Sequence, residues 1–422
     1  MAKNWYRLDT AALIFPAIKR KDWSNAFRVS ATLDEEIDIS LMERAAKDLR
    51  SRFPFYYVSL HRGLFWYYLE ETDEDIKVKD DFAYPLTFMS KKELKKCCVR
   101  LLVYRKRIAA EVFHSVTDGR GGMIYLSTLL SRYLYLKYGT KVKAEGIVLD
   151  ADAVPSAEEL EESFFRYASD APGGRKDPVC YRLHGTAEKD GFRHLTTGIV
   201  DTKKLLDTAH SYKASVSTFL AAVMAKCIIE MQAKEKRKRK HRYVKVTLPI
   251  DLRKLYGSKT LKNFTFLLNV GVDPKLGEYS FEDLCSSMYH QLKAYNTPQY
   301  MSGQISDNVR PQKNLFLRLA PLFIKNFVMR LVYMRTGESG SCINISNMGE
   351  VTLPKEMNDH VERMEFIIGP QISYPNNCSV CSFKGKTYIS MIRSIKESEL
   401  ERRFFSFLVE LGIGVEIETN GD

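Results

Sequence analysis

Hydrophobic and polar positions in the first third of the chain alternate between the two-residue period of strands and the wider spacing of helices. Strands are predicted over residues 27–33, 63–69, 97–104 and 107–113. Helices are predicted over residues 39–49 and from residue 119 to about residue 138. Only Arg105 and Lys106 separate the last two of these strands, which predicts a tight hairpin.

The second half of the chain again mixes strand and helix patterns, and a region with weaker patterns separates the two halves. An acidic helix is predicted to open at Ser156, and residues 170–178, rich in proline, glycine and charge, are the best candidate for a linker. Later helices are predicted over residues 216–231, 281–295, 314–334 and 396–411. Later strands are predicted over residues 243–250, 264–272, 342–346, 360–368, 378–383 and 386–392, the first of them stopped by Pro249 and Asp251. The pattern therefore predicts an α/β (α+β) protein with two domains, residues 1–180 and 181–422.

Composition is that of a globular protein, with 45% hydrophobic and 27% charged residues among 422. No apolar run approaches the roughly 18 residues of a membrane-crossing helix, so no transmembrane segment is expected. The short apolar run at residues 11–18 has basic residues after it instead of before it, which is the reverse of a signal peptide. We therefore expect a cytoplasmic protein with eight reduced cysteines.

Half of the net charge of +12 is concentrated in residues 234–242, KEKRKRKHR. This run predicts either a solvated helix end or a contact with an anionic partner, such as a membrane surface, nucleic acid or the phosphates of coenzyme A. The rest of the chain is only mildly basic, so no general nucleic-acid-binding surface is expected.

The motif that best suggests chemistry is His114-Ser-Val-Thr-Asp118-Gly119, placed between an apolar strand and a helix. A histidine at a strand end can face a cleft and take a proton near neutral pH. Asp118 can turn away and lock the loop by pairing with an arginine, while Gly119 allows a backbone that a Cβ would block. The alternative is a core histidine that caps a strand, with Asp118 as the N-cap of the next helix.

The HxxxDG motif resembles the signature of the chloramphenicol-acetyltransferase-like superfamily of CoA-dependent acyltransferases. Three other segments match that superfamily in the same order. They are Tyr6-Arg-Leu-Asp9 with Phe15-Pro16 and the aromatic segments that follow, Pro249-Ile-Asp251-Leu-Arg253 with Asn263-Phe264, and Ile345-Ser346-Asn347-Met348-Gly349. The chain looks most like alcohol O-acetyltransferases and condensation domains, although Phe113 replaces the first of the two adjacent histidines usual in condensation domains, and the DFGWG segment of the plant members is absent.

The resemblance implies two similar lobes, each a mixed sheet with flanking helices, and an active site in a tunnel where the lobes meet. It implies that His114 is the general base that deprotonates a small alcohol or amine, and that Asp118, Gly119 and Arg253 orient the loop. Ser346, Asn347 and Asn263 are implied as oxyanion or substrate contacts. Acyl-CoA is the implied co-substrate, with no permanently bound cofactor.

Two other hypotheses stay open at this point. The first is a carrier-protein-dependent condensation enzyme or N-acyltransferase on the same fold. The second is a non-catalytic member that binds an anionic partner through residues 234–242. A metal site is not expected, because Cys378-Ser-Val-Cys381 has no second ligand pair with suitable spacing. The sequence does not specify the oligomeric state.

Overall fold

A computed structural model describes residues 3–20, 25–170, 173–174, 177–235, 242–371 and 374–421. The strands are β1 Trp5–Arg7, β2 Ala26–Leu33, β3 Val58–Arg62, β4 Tyr67–Glu71, β5 Val78–Asp80, β6 Val99–Tyr104, β7 Arg107–Phe113, β8 His194–Asp201, β9 Val244–Asp251, β10 Thr265–Val272, β11 Ile343–Glu350, β12 Val361–Ile368, β13 Asn376–Phe383, β14 Lys386–Arg393 and β15 Glu416–Thr419. The helices are α1 Ile14–Ile18, α2 Ile39–Asp48, α3 Lys91–Leu94, α4 Gly119–Tyr138, α5 Ser163–Tyr167, α6 Thr202–Ser211, α7 Val216–Ala233, α8 Leu252–Tyr256, α9 Phe281–Tyr295, α10 Pro298–Lys313, α11 Leu315–Leu319, α12 Leu322–Val332, α13 Lys355–Asn358 and α14 Glu399–Glu410.

Two mixed sheets organise the molecule. The first has the order β12-β2-β7-β6-β5, and the second has the order β10-β9-β11-β13-β14-β8-β15. Both contain parallel and antiparallel pairs, and helices pack on each. The predicted fold class, mixed sheets with flanking helices, is confirmed. A small third sheet, β1-β4-β3, lies beside them.

The first sheet contains a strand from the far end of the chain. β12 pairs antiparallel with β2 from Val361 opposite Leu33 to Ile368 opposite Phe27. A segment of the proposed second domain thus completes the sheet of the first. The division at residue 180 remains a prediction.

Two large hydrophobic cores are associated with the two sheets, and the first also includes buried residues of β13 and β14. In the first, α4 packs on β2 and β7, and α2 packs against α4. The fully buried aromatic residues there include Tyr56 and Tyr125, whose rings stack at 4.7 Å. In the second, α7 is packed against α9 and α14. Within the described ranges, α7 is also the one helix long and apolar enough to cross a membrane, but most of it lies buried in this core.

Four local predictions differ from the structure. Residues 63–66 of the strand predicted over 63–69 form the loop between β3 and β4, and β4 begins only at Tyr67. Ser156 and Glu159 exchange the two hydrogen bonds of a capping box, yet the chain forms only turns there, and the helix starts at Ser163. The strand β9 runs through Pro249, which is tolerated because β11 pairs with β9 only further back, at Val246 and Thr247. The single helix predicted over residues 314–334 is two helices, since Pro321 interrupts it.

Candidate active site

His114 stands at the end of β7, in the turn that leads into α4. Its backbone N–H donates to the carbonyl of Asn25, 2.9 Å away. The half-buried imidazole stacks on the ring of Phe15 with centroids 4.5 Å apart, and the edge contact with Phe27 has a centroid distance of 5.2 Å. Two aromatic rings therefore hold one orientation of the histidine.

Asn263, in the segment between α8 and β10, reaches the histidine from the second sheet. Its Oδ1 lies 2.9 Å from His114 Nδ1, and its Nδ2 donates to the backbone carbonyl of His114 at 3.0 Å. The same Nδ2 donates to Asp9 Oδ2 at 2.9 Å. Asp9 is fully buried and also accepts from the N–H of Ala12 at 2.7 Å. The three side chains form a chain of hydrogen bonds, Asp9 to Asn263 to His114.

This network assigns the histidine tautomer. Both neighbours of Asn263 Nδ2, the Asp9 carboxyl and the His114 carbonyl, are acceptors, so the amide nitrogen must face them. Asn263 Oδ1 then faces the ring, and His114 Nδ1 must donate its proton to it. The lone pair of neutral His114 is consequently on Nε2, which is the atom left to accept a proton.

Burial sets the protonation state of His114. Loss of hydration lowers the pKa of His114 below its usual 6.5, and the negative charge of Asp118 offsets this only in part. The imidazole is therefore neutral at neutral pH. Burial also raises the pKa of Asp9 to about 7, although the hydrogen bond from Asn263 opposes that rise.

Asp118 fulfils both of the roles that the sequence suggested. It is the N-cap of α4, where Oδ1 accepts from the N–H of Gly121 at 3.1 Å. It also forms a buried ion pair with Arg253, whose Nη2 lies 2.9 Å from Oδ2, and it accepts the N–H of Phe264 at 2.9 Å. Burial opposes the charge of Asp118, but Arg253 and these hydrogen bonds together keep its pKa below the usual value. The predicted Asp118–Arg253 pair is thus present.

Arg253 ties the histidine loop to the second sheet. Its Nε donates to the carbonyl of Thr260 at 2.6 Å, and its Nη2 also donates to the carbonyl of Lys262. These contacts fix the segment that carries Asn263. One arginine therefore positions Asp118 and, through the chain, Asn263.

Gly119 contributes close packing at the start of α4. A Cβ built on it would lie 2.8 Å from the ring of Phe366 and 3.0 Å from the Met348 methyl group. Phe366 belongs to β12 and Met348 to β11, so side chains from both strands pack against the start of α4. A side chain at this position would have to displace Phe366 and Met348, whereas the φ of Gly119 is not positive and makes no demand for glycine.

Ser346 and Asn347 lie on β11, both half-buried. Asn347 Nδ2 donates to Ser217 Oγ at 3.0 Å, and its Oδ1 accepts the N–H of Gly349 at 2.8 Å. Their roles as oxyanion donors remain predictions. Asn263, predicted in the same group, is placed differently, because its amide hydrogens are engaged by Asp9 and the His114 carbonyl and its oxygen faces the imidazole.

Sequence reasoning gave no role to Asp9 or Phe15, which here support Asn263 and His114. Both occur in the N-terminal segment that carried the family resemblance, and that was the one available signal. Cys378 and Cys381 are buried in β13 and point to opposite faces of the sheet, and residues 236–241 of the basic run lie outside the described residues.

No family model matches the chain, and no curated protein matches it either. Many solved structures share its fold. TRI101 of F. graminearum, solved with ethyl coenzyme A, is 10% identical with a TM-score of 0.63, over 98% of this chain and 100% of that one. TRI3 trichothecene 15-O-acetyltransferase of Fusarium sporotrichioides is 12% identical with a TM-score of 0.58, over 97% and 94%. The first condensation domain of the CDA synthetase is 14% identical with a TM-score of 0.57, over 97% and 96%.

These likenesses establish the fold. The chain has the two-lobed architecture shared by CoA-dependent acetyltransferases and condensation domains, as the sequence motifs predicted.

Proposed function

We propose that the protein is an acyl-CoA-dependent acyltransferase that moves an acyl group, acetyl in the first instance, to an alcohol hydroxyl. The observation that carries the proposal is the tautomer of His114, with Nδ1–H held by Asn263 and the lone pair of the neutral ring on Nε2. The likeness to TRI101, which was solved with coenzyme A and deoxynivalenol together, supports a CoA thioester as donor and a small hydroxylated acceptor.

The proposed reaction needs no covalent acyl-enzyme. His114 Nε2 removes the acceptor proton while the oxygen attacks the thioester carbonyl, which gives a tetrahedral oxyanion. The carbon–sulfur bond then breaks, the imidazolium returns its proton to the departing thiolate, and the ester and free coenzyme A are released. The charge that develops on the imidazolium is stabilised by Asn263 Oδ1 and, behind it, by Asp9. Ser346 or Asn347 would donate to the oxyanion.

A second candidate is carrier-protein-dependent condensation, which the likeness to a condensation domain favours. It differs in the donor, an acyl group on a carrier protein, and in an amine acceptor. The chemistry at His114 would be the same. A cytoplasmic location remains part of the proposal in both cases.

The test measures free-thiol release from acetyl-CoA and longer acyl-CoAs with a panel of alcohols and amines. Wild type, His114→Ala and His194→Ala are compared. His194 is also half-buried and hydrogen-bonded, to Glu188 at 2.8 Å, so its variant controls for loss of a bonded histidine. We expect turnover in wild type and His194→Ala and a loss of about 10²–10⁴-fold in His114→Ala.

Turnover that survives in His114→Ala would refute the proposed mechanism. Turnover with acyl carrier protein alone would establish the second candidate. An absence of thiol release with every donor would favour the third hypothesis, a non-catalytic member of the fold.

A further inference from the structure

The helices α11 and α12 expose an unusually large apolar surface. Phe316, Phe323 and Phe327 are 87%, 65% and 70% exposed. The remaining exposed members are Leu315, Leu317, Leu319, Ile324, Val328, Leu331 and Val332. We call these side chains, together with exposed Leu64 and Trp66 of the adjoining loop, the apolar patch. Monomeric soluble proteins rarely present apolar area of this extent without a partner.

An ordinary surface helix turns its polar side toward water and its apolar side toward the core, and α12 is oriented the opposite way. Asn326 faces inward and donates to the Tyr67 hydroxyl at 3.0 Å, and Lys325 Nζ donates to the Phe65 carbonyl at 2.8 Å. The outward positions 323, 324, 327, 328, 331 and 332 form one apolar stripe at helical spacing. Polar side chains therefore bind the protein while the apolar stripe faces outward.

The loop before β4 continues this surface. The backbone N–H of Leu322 donates to the carbonyl of Leu64 at 2.9 Å, which places Leu64 beside the start of α12. Trp66 is about half exposed two residues further on. Tryptophan is enriched at the boundary between lipid and water, where an apolar ring with one polar group is well placed.

The segment of the chain that carries α11 and α12 has charges of one sign. Residues 308–337 contain six lysines and arginines and no aspartate or glutamate. Arg318 and Arg335 are exposed within this segment. A symmetric contact with a second copy would bring two such cationic surfaces together, which is unfavourable. An anionic surface would attract these cations, and its apolar interior would cover the outward-facing apolar stripe.

We propose that the apolar patch docks the protein onto the surface of an anionic lipid bilayer. In this arrangement α12 lies in the plane of the interface, with its phenylalanines among the acyl chains and its cations at the headgroups. The docking is peripheral, since α12 has 11 residues and is too short to span the hydrocarbon core.

The docked face adjoins the candidate active site. α12 packs on α1, and Arg330 Nε donates to the Ala17 carbonyl of that helix. α1 also carries Phe15, the ring that stacks on His114. On the proposed acyltransferase function, which this step requires, the acceptor class is a lipophilic alcohol that reaches His114 from the bilayer.

Flotation with vesicles tests the docking and does not depend on catalysis. Vesicles of phosphatidylcholine alone are compared with vesicles that also contain phosphatidylserine. The test variant combines Phe316→Ser, Phe323→Ser and Phe327→Ser. The matched control replaces three apolar side chains that are as exposed but lie outside the patch, in Phe82→Ser, Val154→Ser and Leu276→Ser.

We expect wild type and control to float with phosphatidylserine vesicles and the test variant to lose at least about 100-fold in partitioning. Arg318→Gln and Arg335→Gln should each lose about fivefold, and only on the anionic vesicles. Absence of wild-type flotation would overturn the proposal, and so would equal flotation of the test variant. Sedimentation equilibrium that shows a wild-type dimer abolished in the test variant would assign the patch to a second copy instead.

A separate activity measurement concerns the acceptor class. Thiol release is measured with a short soluble alcohol and with a long-chain alcohol embedded in the vesicles. The test variant should retain turnover of the soluble alcohol and lose at least tenfold with the embedded one. Flotation without any turnover would reject the proposed function but keep the docking, whereas turnover of the soluble alcohol without flotation would reject the docking alone.

Discussion

Replacement of Asn263 by alanine tests whether the amide orients the catalytic histidine. The change removes the acceptor that lies 2.9 Å from His114 Nδ1 and the donor that lies 2.9 Å from Asp9 Oδ2. A hydrogen bond to a neutral group contributes about 0.5–1.5 kcal/mol, and one to a charged group about 1.5–3 kcal/mol. The hydrogen bond from His114 Nδ1–H to Asn263 is a bond of a neutral ring at first, and it becomes a bond of a charged ring when the imidazolium forms. The difference of about 1–1.5 kcal/mol, with loss of the fixed tautomer, predicts a fall in kcat of about 10- to 100-fold.

The assay is thiol release at saturating substrates, with KM values measured in parallel. Asn263 touches no substrate in this mechanism, so both KM values should change by less than about twofold. The pH profile provides a second readout. The hydrogen bond that His114 donates to Asn263 raises the pKa of His114, so its removal should move the acid limb of kcat/KM to lower pH.

Asn269→Ala is the matched control, on the neighbouring strand β10. Its Oδ1 accepts from Thr247 at 2.7 Å and its Nδ2 donates to Asp177 at 2.8 Å, so the change removes another amide that bridges two polar side chains. The free energy of unfolding should fall in both variants, with activity lost only in Asn263→Ala. Equal activity losses in the two variants, or an unchanged kcat in Asn263→Ala, would refute the reasoning.

Three further predictions concern the same network. Because burial lowers the pKa of His114, the acid limb of kcat/KM should have its midpoint below pH 6.5, and a midpoint at 7 or above in a pH–rate profile would contradict this. Arg253→Met leaves the Asp118 carboxylate buried without its partner, so urea titration should show a loss of about 3–5 kcal/mol. The control Arg403→Met, which breaks partly exposed pairs, should lose less than about 1 kcal/mol, and equal losses would count against the first estimate. Burial raises the pKa of Asp9 from 3.8 to about 7, so the folded chain keeps this proton where the unfolded chain releases it. The free energy of unfolding should therefore fall by up to about 4 kcal/mol from pH 4 to 7 in wild type relative to Asp9→Asn, and parallel pH curves for the two proteins would show that Asp9 does not titrate in this way.

Local pattern was sufficient for the central elements of the fold. β7 and α4 were predicted because apolar runs meet at a turn, and the hairpin at Arg105 follows the two-residue spacing, with Arg105 at a positive φ of 50°. β8 was not predicted, since its polar threonines and histidine hide a strand that gains its stability from β14 and β15 on either side. This segment is therefore a strand because of its pairing with neighbouring strands and not because of its own sequence pattern.

Only those site residues that belong to recognisable sequence motifs could be predicted. The Asp118–Arg253 pair was expected from the family resemblance, although 135 residues separate its members. Asp9 and Asn263 are 254 residues apart in the sequence, and no local sequence feature predicts their contact. The surface role of α12 was hidden for a different reason: an apolar helical stripe ordinarily indicates a buried face, and only the structure shows that this stripe points outward.

The placement of β12 in the first sheet has a consequence for synthesis of the chain. The other strands of that sheet have all been synthesised when residue 113 is added, but the edge of β2 stays unpaired until residue 368 is made. At about 5–20 residues per second, that interval is about 13–50 s. An unpaired edge over that time invites pairing with a neighbouring nascent chain. We therefore expect the yield of folded protein to depend on translation rate and on chaperones that cover the edge of β2.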